Sequence, residues 1–134
     1  MSIIGHCNCE AVSVELKAGE QKFSSMICYC NNCARAGAGY SINYMVDQAD
    51  VTIKDPKGAL QTYVDTRTTS GKPMDRRFCG KCGSPVLSQT TDGKTTGKVF
   101  LKATLFDEQA APFLELCTAS RSSWQPAIAG TIQK

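Results

Sequence analysis

Three thiols stand within six residues, at Cys28, Cys30 and Cys33, after an apolar run and before the Gly-rich stretch 34–39. In an extended strand, residues i and i+2 face the same side. Cys28 and Cys30 therefore point together, and a turn at Asn31 and Asn32 brings Cys33 round to them. Three sulfurs can then converge on one metal ion. Zinc with three protein ligands and a free fourth position is the usual catalytic arrangement, whereas four ligands usually make a closed structural site.

Seven of the eight cysteines fall into tight groups: Cys7 with Cys9, the central trio, and Cys79 with Cys82, while Cys117 stands apart. C-x-C and C-x-x-C spacings suit thiolates gathered round a metal, and disulfides instead need separated partners of suitable geometry. The even count also permits four disulfides in an exported domain, but no export signal accompanies it. A redox C-x-x-C of thioredoxin type wants a βαβ unit, and no long helical pattern supplies one.

Cys79-Gly80-Lys81-Cys82-Gly83 reads as a metal knuckle, because the glycines accept the turn conformation and let backbone N–H groups face the sulfurs. It offers two ligands, so a closed tetrahedral site needs two more, and Cys7 with Cys9 is the remaining pair. These pairs lie far apart in the chain, so joint ligation would close a long loop and couple zinc binding to folding. The trio is then one ligand short. Three thiolates on a dication form a net anionic site, a weak Lewis acid suited to a soft fourth ligand such as a substrate thiolate, or to an exchangeable water. A competing assignment closes the trio with Cys117 or His6. Outside that assignment, His6 reads as a surface or packing residue.

The elements that must hold these residues are short strands. Val12, Val14 and Leu16 alternate with polar residues, as do Ile42, Tyr44 and Val46. Val99, Leu101, Ala103 and Leu105 give the cleanest alternation and predict one strand over 99–105. Further strands are expected over 23–28, 50–53, 60–64, 74–78 and 113–116, with turns at 17–20 and 55–58 and a polar, exposed stretch at 66–73. Residues 34–39 are too short and Gly-rich for a stable helix, and read either as a loop drawn close to a ligand or as a plain turn. The fold class is mainly β with little helix.

At 134 residues the chain fits a single domain, 1–134. Its net charge of +3 is spread along the chain, which argues against nucleic acid as a partner. No run approaches the roughly 18 apolar residues of a membrane helix, and Met1–His6 lacks the basic and apolar regions of an export signal. A soluble cytoplasmic protein with no membrane partner is expected. Nothing in the chain indicates an oligomeric state.

Four motifs carry a resemblance over about the whole chain. They are Gly5-x-Cys7-x-Cys9; Cys28-x-Cys30-x-x-Cys33 with Arg35-Ala36-Gly37; Phe78-Cys79-x-x-Cys82-Gly83-Ser84-Pro85; and Lys102-Ala103-Thr104-Leu105 followed by Asp107. Together they resemble the glutathione-dependent formaldehyde-activating enzyme and centromere protein V family. The resemblance implies a β-tent fold of short antiparallel strands with two zinc ions. Cys7, Cys9, Cys79 and Cys82 would hold a structural ion, and Cys28, Cys30 and Cys33 a catalytic one. It further implies a carbon-sulfur lyase that forms or breaks an adduct between glutathione and a small electrophile, the thiol meeting the second zinc.

The segment 115–118 with Arg121 and Trp124 is most similar to fungal members. A lyase or isomerase acting on a secondary metabolite is therefore an alternative, as is a non-catalytic zinc-stabilised interaction module, which an extended basic tail would mark. Tyr29 stands where many relatives carry His, Ala34 where Arg is common, and Glu10 where Gly is common. The Tyr29 hydroxyl can donate to a bound oxyanion. Ser84 and Lys102 complete the candidate catalytic set, with a turn role and an exposed strand position as their ordinary readings. Arg76 and Arg77 are candidates for the carboxylates of glutathione. Trp124 is a candidate cover for the pocket or cap for the core.

Overall fold

The computed structural model describes residues 2–17, 24–92 and 97–134. Strands Ser2–His6 (β1), Ser13–Lys17 (β2) and Ser25–Cys28 (β3) precede the helix Asn31–Gly37 (α1). Strands Ser41–Asp47 (β4), Val51–Lys54 (β5), Leu60–Asp65 (β6) and Met74–Cys79 (β7) follow. The chain ends with Pro85–Thr90 (β8), Lys98–Lys102 (β9), Pro112–Leu116 (β10) and Ile132–Gln133 (β11). Part of the expected 17–20 turn and of the 23–28 strand lies outside the described residues.

Two sheets result. The smaller has the order β1-β2-β5, and the larger runs β11-β10-β3-β4-β9-β8-β7-β6. Most pairs are antiparallel, as expected, while β10 lies parallel to both β3 and β11. Among the described residues no helix is long and apolar enough to cross a membrane.

Side-chain alternation explains how the larger sheet serves two purposes. Tyr44 lies opposite Leu101, which lies opposite Leu87, and this row is buried in one core with Val12, Val14 and Leu16 of the smaller sheet. The intervening residues point the other way. On that second face Met26 lies opposite Asn43, which lies opposite Lys102, and beside them Phe100, Ser88 and Arg76 form a second row. One face therefore supplies apolar burial and the other a polar floor.

Two local expectations are corrected, and three strands appear that the alternation does not mark. The strand over 99–105 stops at Lys102, and Ala103–Leu105 forms a 3-10 turn closed by the Phe106 N–H on the Ala103 carbonyl, 3.2 Å. Its backbone packs on Gly5, where an added Cβ would sit 2.7 Å from the Leu105 carbonyl oxygen. Residues 34–39 are not wholly loop, because α1 runs from Asn31 to Gly37 and the turn at Asn31 and Asn32 is its first turn. Tertiary partners make this seven-residue helix possible: Cys30 Sγ accepts from the Cys33 N–H at its start, and Ser41 Oγ donates to the Cys33 carbonyl. Finally, β1, β8 and β11 are strands without a clear alternating signature. Pro85 is tolerated in β8 because it is the first residue.

Candidate metal centres

All eight cysteines are free thiols, and seven of them gather into two groups. Cys7 follows β1 in a tight turn, with the Glu10 N–H on the Cys7 carbonyl at 3.0 Å and the Val12 N–H on Cys7 Sγ at 3.3 Å. Cys79 ends β7, and Gly83 closes the knuckle with φ +78° and its N–H on the Cys79 carbonyl at 2.7 Å. The left-handed φ explains the glycine there. The sulfurs of Cys7, Cys9, Cys79 and Cys82 lie within 4.8 Å of one another, with Cys7–Cys9 and Cys9–Cys79 each at 3.7 Å. A tetrahedral zinc with bonds of about 2.3 Å puts its sulfurs roughly 3.8 Å apart. The donor set and spacing thus fit a closed zinc site.

Ser84 belongs to this first group. Its Oγ accepts from the Asn8 N–H at 3.0 Å and lies 3.1 Å from Cys82 Sγ. Hydrogen bonds from Ser84 lead in pulling the Cys82 thiol down to about 5. His6 is exposed and its Nδ1 donates to the Cys7 carbonyl, 2.8 Å.

The sulfurs of Cys28, Cys30 and Cys33 also lie within 4.8 Å of one another, from the end of β3 to the first turn of α1. Three soft donors at this spacing suit zinc with one position left for another ligand. Cys117 is exposed, in a left-handed conformation with φ 56°, and its Sγ lies 4.0 Å from Cys28 Sγ. It adjoins one member of the trio. A cavity of about 280 Å³ borders all four thiols and is also walled by Asn43 and Arg76.

Charge is focused on the trio. The Cys33 thiol is pulled down to about 5, chiefly by the hydrogen bond from Cys28, with Lys102 and Arg76 adding their fields. The same bond is the main cause pushing Cys28 up. Lys102 is 4% exposed, and among the described residues its Nζ has no hydrogen-bond partner, as is also true of Asn43 Oδ1 across the strand pair. Burial lowers the Lys102 ammonium and the trio's thiolates oppose that shift. A buried, unpaired ammonium is costly unless a neighbouring negative charge answers it, and a zinc bound by three thiolates would carry one. Arg76 Nε sits 2.7 Å from Asp65 Oδ2, which also accepts from Asn32 Nδ2 at 2.8 Å.

Tyr29 faces elsewhere. Its buried hydroxyl donates to the Glu115 carboxylate, and Glu115 pairs with Ile27 across β3 and β10, on the opposite side from Cys28. Glu115 is fully buried and also accepts from Thr131 Oγ1 at 2.7 Å, the Ile128 N–H at 3.1 Å and Gln133 Nε2. Arg121 lies 3.5 Å from Glu115 and 5.5 Å from the Tyr29 ring centroid. Burial would raise this carboxyl, but these bonds, led by that from Thr131, hold it at about 2.

Of the three polar candidates, only Lys102 is thus brought beside the trio. Arg77 lines a neighbouring cavity of about 400 Å³ together with Lys102. Trp124 is 78% exposed and joins neither the core nor the wall of the trio's cavity. Asn43, Asp65 and Glu115 were not singled out from the sequence. Asn43 takes the polar place between Ile42 and Tyr44 that the alternation assigns to the opposite face.

Residues 2–122 match the family model described as glutathione-dependent formaldehyde-activating enzyme. No curated protein sequence matches the chain. Among solved structures, a Rhodobacter sphaeroides protein superposes with a TM-score of 0.58 at 20% identity, covering 81% of this chain and 98% of its own. At that identity the likeness concerns the fold.

Proposed function

On the premise that the chain belongs to the glutathione-dependent formaldehyde-activating enzyme family, we propose that it is a zinc-dependent carbon-sulfur lyase. Its substrate is the adduct of a small thiol, glutathione in the first instance, with an aldehyde or similar electrophile. In this reading Cys7, Cys9, Cys79 and Cys82 hold a structural ion, and Cys28, Cys30 and Cys33 hold the ion at which the chemistry occurs. The observation that carries it is the contrast between a closed set of four sulfurs and an incomplete set of three that borders a cavity and a buried cation.

Zinc bound at the trio supplies Lewis-acid stabilisation of a thiolate or oxyanion. This chain's residues do the rest. In the forming direction the thiol sulfur bonds to the carbonyl carbon, the carbonyl π bond breaks, and the thiol proton ends on oxygen. Lys102, whose acidity burial increases, donates to that developing oxyanion and recovers its proton from the thiol. Arg76, held by Asp65, adds positive field at Cys33 without titrating. Tyr29 fixes the backbone between two ligands through Glu115, and Ser84 supports the structural set.

Metal analysis with the Cys33→Ser variant tests this. The wild-type chain should carry two zinc ions, and the variant should stay folded with one. Its thiol–aldehyde turnover should fall by more than the roughly 100-fold that outer-shell changes cost. Wild-type turnover in Cys33→Ser would remove the trio from the chemistry.

A further inference from the structure

The cavity of about 400 Å³ adjoins that of the trio, and Arg76 and Ser88 border both. Its volume falls within the roughly 300–1,000 Å³ of small-molecule sites. Strand register builds it. Tyr63 of β6 lies opposite Arg76 of β7, which lies opposite Ser88 of β8. Beyond Arg77 the pairing slips by one residue, so Phe78 faces Pro85 while Val86 and Leu87 are both buried in the core. A bulge of this kind bends its strand and re-aims the side chains that follow. Tyr63, Phe78 and Pro85 are thereby gathered around one space, and Ala36 of α1 completes a wall that is mainly apolar.

One buried cation joins this space to the thiols. Lys102 borders the cavity, is 4% exposed, and its Nζ has no hydrogen-bond partner among the described residues. Its field also reaches Cys33, Cys28 and Cys30. The thiolates answer its charge, but the missing hydrogen bond leaves a desolvation cost that a bound oxygen relieves.

Resting on the lyase reading above, we propose that this cavity is the pocket for the electrophile, and that the electrophile is an aldehyde bearing an alkyl or aryl group several carbons long. With the reacting sulfur at the trio and the aldehyde oxygen at Lys102, the remaining substituent on the carbonyl carbon is directed between Tyr63 and Phe78. A one-carbon aldehyde is little larger than a water, whose share of liquid volume is roughly 30 Å³, and would leave most of the cavity to solvent. Each methylene buried against an apolar wall tightens binding about fourfold. Ala36, Tyr63 and Phe78 therefore set the size of the aldehyde, separately from whatever thiol is used.

The test uses zinc-loaded full-length protein and two unreactive carbonyl probes, propanamide and hexanamide, with affinities and contact sites read from amide chemical shifts. Hexanamide should bind roughly tenfold tighter than propanamide or better, since three methylenes are added. The shifts should centre on Ala36, Tyr63, Phe78 and Ser88. Ala36→Phe, which fills the cavity, should abolish the preference. Tyr63→Ala, which removes a side chain 57% exposed, should cost hexanamide about threefold and propanamide nothing. Zinc content and circular dichroism should be unchanged in both, and Tyr63→Ala alone decides if Ala36→Phe does not fold. Equal binding of the two probes to the wild type, shifts centred elsewhere, or a preference untouched by the variants overturns the pocket. Turnover of propanal and hexanal at equal rates leaves the lyase reading standing and the pocket fallen. Failure of the lyase reading shows separately, as absence of turnover for every aldehyde while the hexanamide preference persists.

Discussion

The two cysteine groups present the same donor atom in different surroundings. Cys7 and Cys79 are 1% and 0% exposed, and their set joins segments 70 positions apart, as between Cys9 and Cys79. The neutral hydroxyl of Ser84 lies 3.1 Å from Cys82 Sγ of this set. The trio is gathered within six residues, is half-buried, and has Lys102 and Arg76 acting on it. On the proposed reading, the closed set that spans the chain would stabilise the fold, and the open, locally built set beside cations would meet a ligand.

The comparison breaks most visibly at Cys79. Cys79→Ala should abolish cooperative folding, because metal affinity that bridges distant segments is folding free energy, and far-UV circular dichroism with thermal melting reads this. A folded, two-zinc Cys79→Ala protein would mean that the sets do not divide the work in this way. Next comes Lys102. Lys102→Met should lower turnover roughly 100-fold while both zinc ions and the far-UV circular dichroism are retained. Undiminished turnover would locate the difference between the sets in ligand number alone.

The smallest effect is expected at Glu115. Glu115→Gln should cost about 2 to 3 kcal/mol in urea unfolding with both zinc ions retained, because one member of a buried charged network is neutralised. The folded carboxyl titrates at about 2 against 4.5 for the free group. Its contribution is therefore complete above pH 4.5 and is lost as pH falls through 2, so the gap between wild type and variant should narrow over that window.

What could be read in the sequence follows from what each feature depends on. Metal ligation is legible because it demands close spacings, and Cys28-x-Cys30-x-x-Cys33 and Cys79-x-x-Cys82 carry that demand in the chain itself. The apolar alternation of Ile42, Tyr44 and Val46 likewise announces a buried face. Helix α1 was hidden, because seven residues cannot offset the cost of nucleation without the caps that Cys30 and Ser41 supply. Asn43 and Lys102 meet only through the register of β4 and β9, and Asp65 reaches Asn32 only across a loop. The direction of the Tyr29 hydroxyl depends on a parallel strand from the far end of the chain, which no local pattern encodes.

That parallel strand orders events during synthesis. The closed set can assemble as soon as Cys82 has emerged, but β3 gains its outer neighbour, with Leu116 against Cys28, only when the last fifth of the chain appears. Glu115 then fastens Tyr29 and gathers Ile128, Thr131 and Gln133. On a ribosome that delivers the chain from its N-terminus, the ligands of the closed set are therefore available before the strand that covers β3. A chain broken off before Pro112 would present an unpaired β3 edge with Cys28 at its end, a sticky and oxidisable surface. Residues 112–133 are the clasp that covers this edge.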